Sequence, residues 1–330
     1  MKLSVFFNGD YMGPGGPRQV NKNIVQCLNN ELAIKKPCSS PYLGYVDNFL
    51  KILRNKSVVF SGLLYRPYEA KLAKKLGKKI IYIMHGCALI ESGRHVDTED
   101  FILENSDLIL CVSETFKRQM QNYFPQYADK MQTLTNGVNW EELETMKRTM
   151  PHNIKRDQNR VILFGGGRTT KMNISVCRAI QEINQENGYN LYVDVYGYYK
   201  DNDDSQKIAE VPCVTFHSVI PHDLINLELA KSRLFIQNSS FEPFSLALMD
   251  SLIAGCDVLF SRYVGAQDLI SGKTEYDIIN DPEDIAEIKR KILHLLENPN
   301  NARLLDSVDR DDSSLQSATN RFLEYCEQYG

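Results

Sequence analysis

"SSFEPFSLALMDSLIAGCDVL", residues 239–259, sets a glutamate before a proline and an aspartate among the core positions of an apolar helix. Leu246, Leu248, Met249, Leu252 and Ile253 supply the apolar pattern, and helix stability alone gives no reason for Asp250 between them. Pro243 disfavours the α conformation at Glu242, so Glu242 is expected to stay extended just ahead of the helix. Proline is itself tolerated at the first helical position. The amides of Phe244, Ser245 and Leu246 then lack helical partners and form an anion site. A carboxylate beside that site repels phosphate, so the expected partner of Glu242 is a neutral polyol hydroxyl. Asp250 follows eight residues later, about two turns on, where its carboxylate can accept from a vicinal diol. Two plain structural roles compete: Glu242 favouring the helix dipole, and Asp250 in a buried salt bridge.

Outward from this stretch the same rhythm recurs. Short apolar runs at 2–9, 57–62, 79–86, 107–113 and 131–137 alternate with helical patterns at 18–33, 45–55, 67–77, 99–105 and 114–124. After residue 150 the strand patterns are 160–167, 191–197, 213–218, 233–240, 256–262 and 276–281. Such alternation predicts an α/β protein with parallel sheets wrapped by helices. Its interruption at "TMKRTMPHNIKRDQNR", 145–160, predicts a domain boundary. Two Rossmann-like domains, 1–150 and 151–314, are expected to face each other across a cleft, with a last helix at 315–330 packing back on the first.

The 330 residues are 43 % apolar and 24 % charged, the composition of an ordinary globular protein. The net charge of −4 is unevenly spread, about +5 over 1–150 and −9 over 151–330. Much of the first excess comes from "KLAKKLGKK", 71–79, read either as a solvated helix face or as a surface for anionic lipid. Eight cysteines without a CxxC pair lie mostly in apolar patterns, which predicts reduced, buried thiols and a cytoplasmic setting. No signal-peptide pattern opens the sequence, and no apolar run reaches the length of a membrane span. Nothing points to nucleic acid.

In open α/β sheets ligands collect outside the carboxyl ends of the strands. "NGDYMGPGGPRQ", 8–19, follows the first strand, and Gly13, Gly15 and Gly16 there permit close backbone approach. "FGGGRTTKMN", 164–173, is no Walker loop, because the GK[ST] ending is missing. Arg168 and Lys171 nonetheless place two cations at a helix mouth, suited to a diphosphate or simply solvated. The acidic runs "DNDD", 201–204, and "DRDD", 309–312, have DxD spacing but lie in polar stretches, so they read as solvated turns rather than metal ligands.

Taken together these segments resemble the retaining nucleotide-sugar glycosyltransferases of the GT-B fold, in the branch with the E-x7-E signature. The similarity is carried by "ENSDLILCVSETFKRQM", "TLTNGVN", "ILFGGGRTTKMN", the opening stretch, the N-terminal glycine loop and "MHG" at 84–86. The resemblance implies that Arg168 and Lys171 grip the donor diphosphate and that Glu242 bonds hydroxyls of the transferred sugar. Asp250, where the family usually has glutamate, would bind the ribose diol. It further implies donor-site roles for Gly15, Gly16, Asn136, Phe244, Ser245 and Leu246, and places His85 near the transferred sugar, against a plain role as a strand-end core histidine. Ser245 and Ser218 stand where the family prefers glycine.

The resemblance implies hexosyl transfer with retention, without an obligatory metal, from a nucleotide-diphosphate sugar. The basic N-terminal half, with "KLAKKLGKK", suggests as acceptor a glycan or lipid-linked glycan in cell-surface polysaccharide synthesis. Peripheral contact with the inner membrane face would go with it. The rivals are a nucleotide-sugar epimerase or hydrolase on the same fold, and a non-catalytic nucleotide-sugar-binding protein.

Overall fold

The computed structural model describes residues 3–13, 15–36, 40–62, 67–149, 154–201 and 203–329. Two six-stranded sheets form, and every strand pair in both is parallel. The first contains β1 (Val5–Gly9), β2 (Ala33–Ile34), β3 (Ser57–Ser61), β4 (Lys79–Met84), β5 (Leu108–Cys111) and β6 (Met131–Thr133), in the order β2-β1-β3-β4-β5-β6. The second contains β7 (Asp157–Phe164), β8 (Tyr192–Tyr196), β9 (Val214–His217), β10 (Ser232–Gln237), β11 (Asp257–Ser261) and β12 (Ile278–Ile279), in the order β12-β11-β10-β7-β8-β9. Central strands such as β3 are buried along their whole length, as expected of a parallel sheet covered on both faces.

The chain divides into two compact units, residues 1–139 with 310–330, and residues 140–309. The helix Trp140–Thr149 counts with the second unit, and Asn226 donates to the Met146 sulfur at 3.1 Å within it. The last helix, Leu315–Tyr329, belongs to the first unit: Phe322 is fully buried and meets the Phe7 ring edge-on at 5.7 Å. In the second unit the helices Asn173–Asn187 and Ile285–Glu297 line one core cluster with Val161, Leu163, Val193, Ile236 and Leu259.

The seven described cysteines are free thiols, five of them buried; Cys38 lies outside the described residues. Among the described residues no helix is long and apolar enough to cross a membrane.

Candidate active site

In the second unit β7 and β10 are neighbours, so the loops at their carboxyl ends emerge side by side. They are stitched together where the Ser240 amide donates to the Thr170 carbonyl at 2.9 Å. Gly165, at φ +98°, turns the chain; a Cβ there would stand 2.8 Å from Lys171 Cγ and 3.1 Å from an Arg168 guanidinium nitrogen. Only a residue without a side chain lets both cations fold back over the turn. Asn173 holds the turn from below, its amide donating to Gly166 O at 2.8 Å and Phe164 O at 3.2 Å.

Lys171 Nζ donates to Glu242 Oε2, and both side chains are largely covered, 12 % and 16 % exposed. Gln237, the last residue of β10, also donates to that oxygen at 3.3 Å and to Ser239 Oγ at 2.7 Å. Glu242 is extended, as expected from the following proline, and makes a parallel bridge to Val264. Arg168 is exposed and tethered by Nε to Gly165 O at 3.3 Å. It makes no ion pair among the described residues, so the end of its guanidinium fork is available. Lys171 neutralises Glu242, which removes the electrostatic objection to a phosphate beside that carboxylate.

The helix starts later than the proline suggests. It spans Leu246–Ala254, so Pro243 is not its first residue. Glu242 O and Phe244 O instead accept from the amides of Gly265 and Ala266, at 3.0 and 2.6 Å, and this pairing holds the segment extended through Phe244. The amides free at the helix start are therefore those of Leu246 and its successors, while Phe244 is buried.

Ser245 caps the helix at φ +84°, left-handed backbone that costs a non-glycine residue about 1–2 kcal/mol. Its hydroxyl recovers little, reaching Gln237 Oε1 at 3.5 Å. Ser245→Gly is therefore expected to stabilise the protein by about 1 kcal/mol and to raise its melting temperature by about 2–4 °C in calorimetry. A lower melting temperature would mean that the hydroxyl outweighs the strain.

Asp250 sits in this helix, 8 % exposed. No hydrogen bond or ion pair reaches it among the described residues, so the buried salt bridge weighed as its structural role is not formed there. Burial pushes its pKa up to about 7, with the charge of Glu142 adding to the effect.

The first unit gathers its own polar cluster at the carboxyl ends of β1, β3 and β4. Gly15, at φ +121°, caps the helix Gly16–Cys27, and Gly15 and Gly16 have open space where a Cβ would stand. His85 follows β4, and its Nε2 lies 2.8 Å from Ser61 Oγ. The order of hydrogen bonds around that serine settles the tautomer. Asn21 Nδ2 donates to Asp10 O at 2.8 Å, which turns Asn21 Oδ1 toward Ser61, and Ser61 donates to it at 2.5 Å. With its proton so used, Ser61 accepts from His85 Nε2–H, leaving Nδ1 as a bare acceptor. Burial lowers the His85 pKa to about 4, so the ring is neutral near pH 7.

Asn136 is buried, and its neighbour Gly137 has no room for a Cβ: Leu315 Cα would be 2.7 Å away. The Asn-Gly-Val turn thus docks the returning chain, with Val138 bridging to Ser314.

The acidic run at 201–204 is not a solvated turn throughout. The Asp204 amide donates to Gly167 O at 3.0 Å, and one Asp203 oxygen is buried without a partner. Asn202 lies outside the described residues, among which no group of three His, Cys, Asp or Glu side chains is arranged to hold a metal ion.

Gln237, Asn173 and the Asn21–Ser61 pair are the residues that sequence reasoning passed over. Gln237 had a legible signal, an amide closing an otherwise apolar strand at its carboxyl end. The Asn21–Ser61 contact joins positions 40 apart and had none.

Two parallel sheets, each flanked by helices, with polar loops at the strand ends, define the GT-B fold. Residues 158–298, which lie in the second unit, match the family model described as "Glycosyl transferases group 1". An uncharacterized glycosyltransferase of Methanocaldococcus jannaschii is 23 % identical over 174 residues, 49 % of this chain and 44 % of the relative. The chain thus spans less than half the length of that curated relative. Among solved structures, Anabaena HepE in complex with UDP-glucose superposes with a TM-score of 0.69 at 13 % identity, covering 98 % of this chain and 99 % of that one. The lipopolysaccharide outer core galactosyltransferase WaaB, in its apo form, gives 0.68 at 14 % identity, covering 99 % of each.

Proposed function

We propose that the protein is a retaining glycosyltransferase that moves a hexosyl group from a nucleotide-diphosphate sugar to a glycan or lipid-linked glycan. The observation that carries this reading is the pairing of Lys171 with Glu242 beside the available guanidinium of Arg168. One carboxylate for sugar hydroxyls and two cations for a diphosphate are the groups such a donor requires. UDP-glucose bound to HepE supports a nucleotide-sugar donor.

In this mechanism Arg168, Lys171 and the amides at the start of helix Leu246–Ala254 hold the diphosphate. Phe244, Ser245 and Leu246 shape that end of the site, Glu242 accepts from the transferred sugar, and Asp250 accepts from the ribose diol. The anomeric carbon–phosphate oxygen bond breaks as the acceptor oxygen bonds the same face of that carbon. The acceptor proton passes to the leaving diphosphate, so charge balances without a metal. Stabilising the charge that develops on the leaving group is the largest contribution asked of the protein.

We assign the acceptor to the first unit, whose Gly15 and Gly16 offer open backbone and whose His85 offers Nδ1 to a sugar hydroxyl. Asn136 is assigned an indirect role through its turn. The likeness to WaaB, a lipopolysaccharide outer core galactosyltransferase, supports a glycan acceptor in cell-surface synthesis. The lysines of 71–79 support work at the inner membrane face from the cytoplasm.

A thermal-shift panel of nucleotides and nucleotide sugars tests this with the wild type, Glu242→Ala and Arg168→Ala. One nucleotide sugar at a hundredfold excess over its Kd is expected to add about 2.7 kcal/mol to the wild type. Glu242→Ala should keep part of the shift and Arg168→Ala almost none. No shift with any nucleotide at millimolar concentration would sink the donor site. Stabilisation without turnover of any donor would favour a non-catalytic binding protein.

A further inference from the structure

We propose that the outward face of the helix Pro41–Arg54, together with the lysines of the next helix, Tyr68–Lys75, docks the protein on an anionic lipid bilayer. The inference rests on the peripheral contact in the proposed function and supplies a surface for it.

Helix Pro41–Arg54 is amphipathic in the opposite sense to an ordinary surface helix. Asn48 and Ile52 point inward, 5 % and 0 % exposed. Tyr42, Leu43, Val46, Phe49, Leu50 and Leu53 point outward and are between 38 % and 82 % exposed. At helical spacing these six fall within an arc of about 120°. No charged residue lies inside that arc: Asp47 and Arg54 stand at or beyond one border, and Lys51, nearly opposite, pairs with Asp47 at 2.5 Å. Isolated exposed apolar residues are common, but a continuous stripe marks an interaction surface.

The neighbouring helix continues the patch and gives it a charge. Tyr68, 62 % exposed, meets the Tyr45 ring edge-on at 6.4 Å. Lys78 Nζ donates to Leu53 O at 3.0 Å and joins the lysine stretch to the end of the apolar helix. Lys71, Lys74 and Lys75 are exposed, and none of them forms an ion pair among the described residues. Glu69, the acid on the same helix, is turned away and accepts from Asn8 and Asn48 at 2.6 and 2.9 Å.

An apolar stripe edged by uncompensated cations matches the interface of a bilayer: the side chains enter the headgroup–acyl boundary and the lysines meet lipid phosphates. A second copy of this chain would bring another set of the same cations to the patch, so charge complementarity selects the lipid.

The test uses the full chain and sedimentation with phosphatidylglycerol–phosphatidylcholine vesicles and with phosphatidylcholine vesicles alone. Wild type is expected to sediment with the anionic vesicles and to be released as salt rises. Leu43→Ser/Phe49→Ser and Lys74→Glu/Lys75→Glu should each weaken that binding by about tenfold or more. All these changes are at exposed positions, and an unchanged melting temperature confirms folding in each variant. Wild type that ignores anionic vesicles overturns the proposal, as does undiminished binding by the serine variant. Equal binding to neutral vesicles, unaffected by charge reversal, overturns the anionic selectivity. Self-association abolished by the serine pair, without vesicle binding, overturns it in favour of a second copy. The nucleotide-sugar thermal shift of the same samples separates failures: its survival leaves the donor site standing when docking fails, and the reverse holds.

Discussion

Replacing Arg168 with alanine is expected to slow sugar transfer by about 10²–10³-fold, the usual cost of removing one donor aimed at developing negative charge. The side chain is exposed and, among the described residues, bonded only to the carbonyl of its own turn, so little fold stability depends on it. The effect should therefore appear in kcat as well as kcat/KM, while the melting temperature stays nearly unchanged. Arg168→Lys should recover only part of the rate, because a point charge cannot reproduce a guanidinium fork on two phosphate oxygens. A variant with raised KM and full kcat would show that Arg168 binds donor and transition state equally. Glu242→Ala and Lys171→Ala are less clean, since each strands a mostly buried charge and perturbs the loop along with the chemistry.

Asp250→Asn should alter the pH dependence of stability by more than any other single change considered for this chain. Burial pushes the carboxyl from its ordinary 3.8 up to about 7 in the folded protein. Between those values the native state holds a proton that the unfolded state has released. Stability from this group is thus fully present below about pH 4, falls as pH rises from there, and is lost once pH passes about 7. At about 1.36 kcal/mol per unit, the whole swing amounts to about 4 kcal/mol. Thermal melts at pH 5 and pH 8 are the measurement: relative to wild type, the asparagine variant should gain several degrees more at pH 8. An equal effect at both values would show that the carboxyl is not held protonated. In the proposed function a ribose diol would supply hydrogen bonds to this carboxyl, and its binding near neutral pH should release a proton.

The alternation of apolar runs made eleven of the strand positions legible, because strands buried on both faces leave continuous hydrophobic stretches. β2 escaped, since two half-buried residues at a sheet edge leave no periodic trace. The helix Trp140–Thr149 was hidden in a stretch whose polarity resembles a linker; only Leu143 is buried in it. In the candidate site, Pro243 correctly signalled an extended Glu242 but not the delayed helix start. That delay depends on pairing with Gly265 and Ala266, and no local propensity encodes it. Local spacing placed Arg168 and Lys171 on one loop, yet whether the lysine faced solvent or Glu242 was a matter of packing across 71 residues.

The chain leaves its first unit at residue 139 and re-enters it at 310, so the second unit is an insertion within the first. On a ribosome this sets an order of completion. Residues 140–309 are synthesised before the segment that seats Phe322 on Phe7 and closes over Gly137. The unit built first in sequence is therefore the last to be finished. Until its final helix arrives, the apolar side chains beneath Leu315–Tyr329 wait uncovered while residues 140–314 are made, about 9–35 s at 5–20 residues per second.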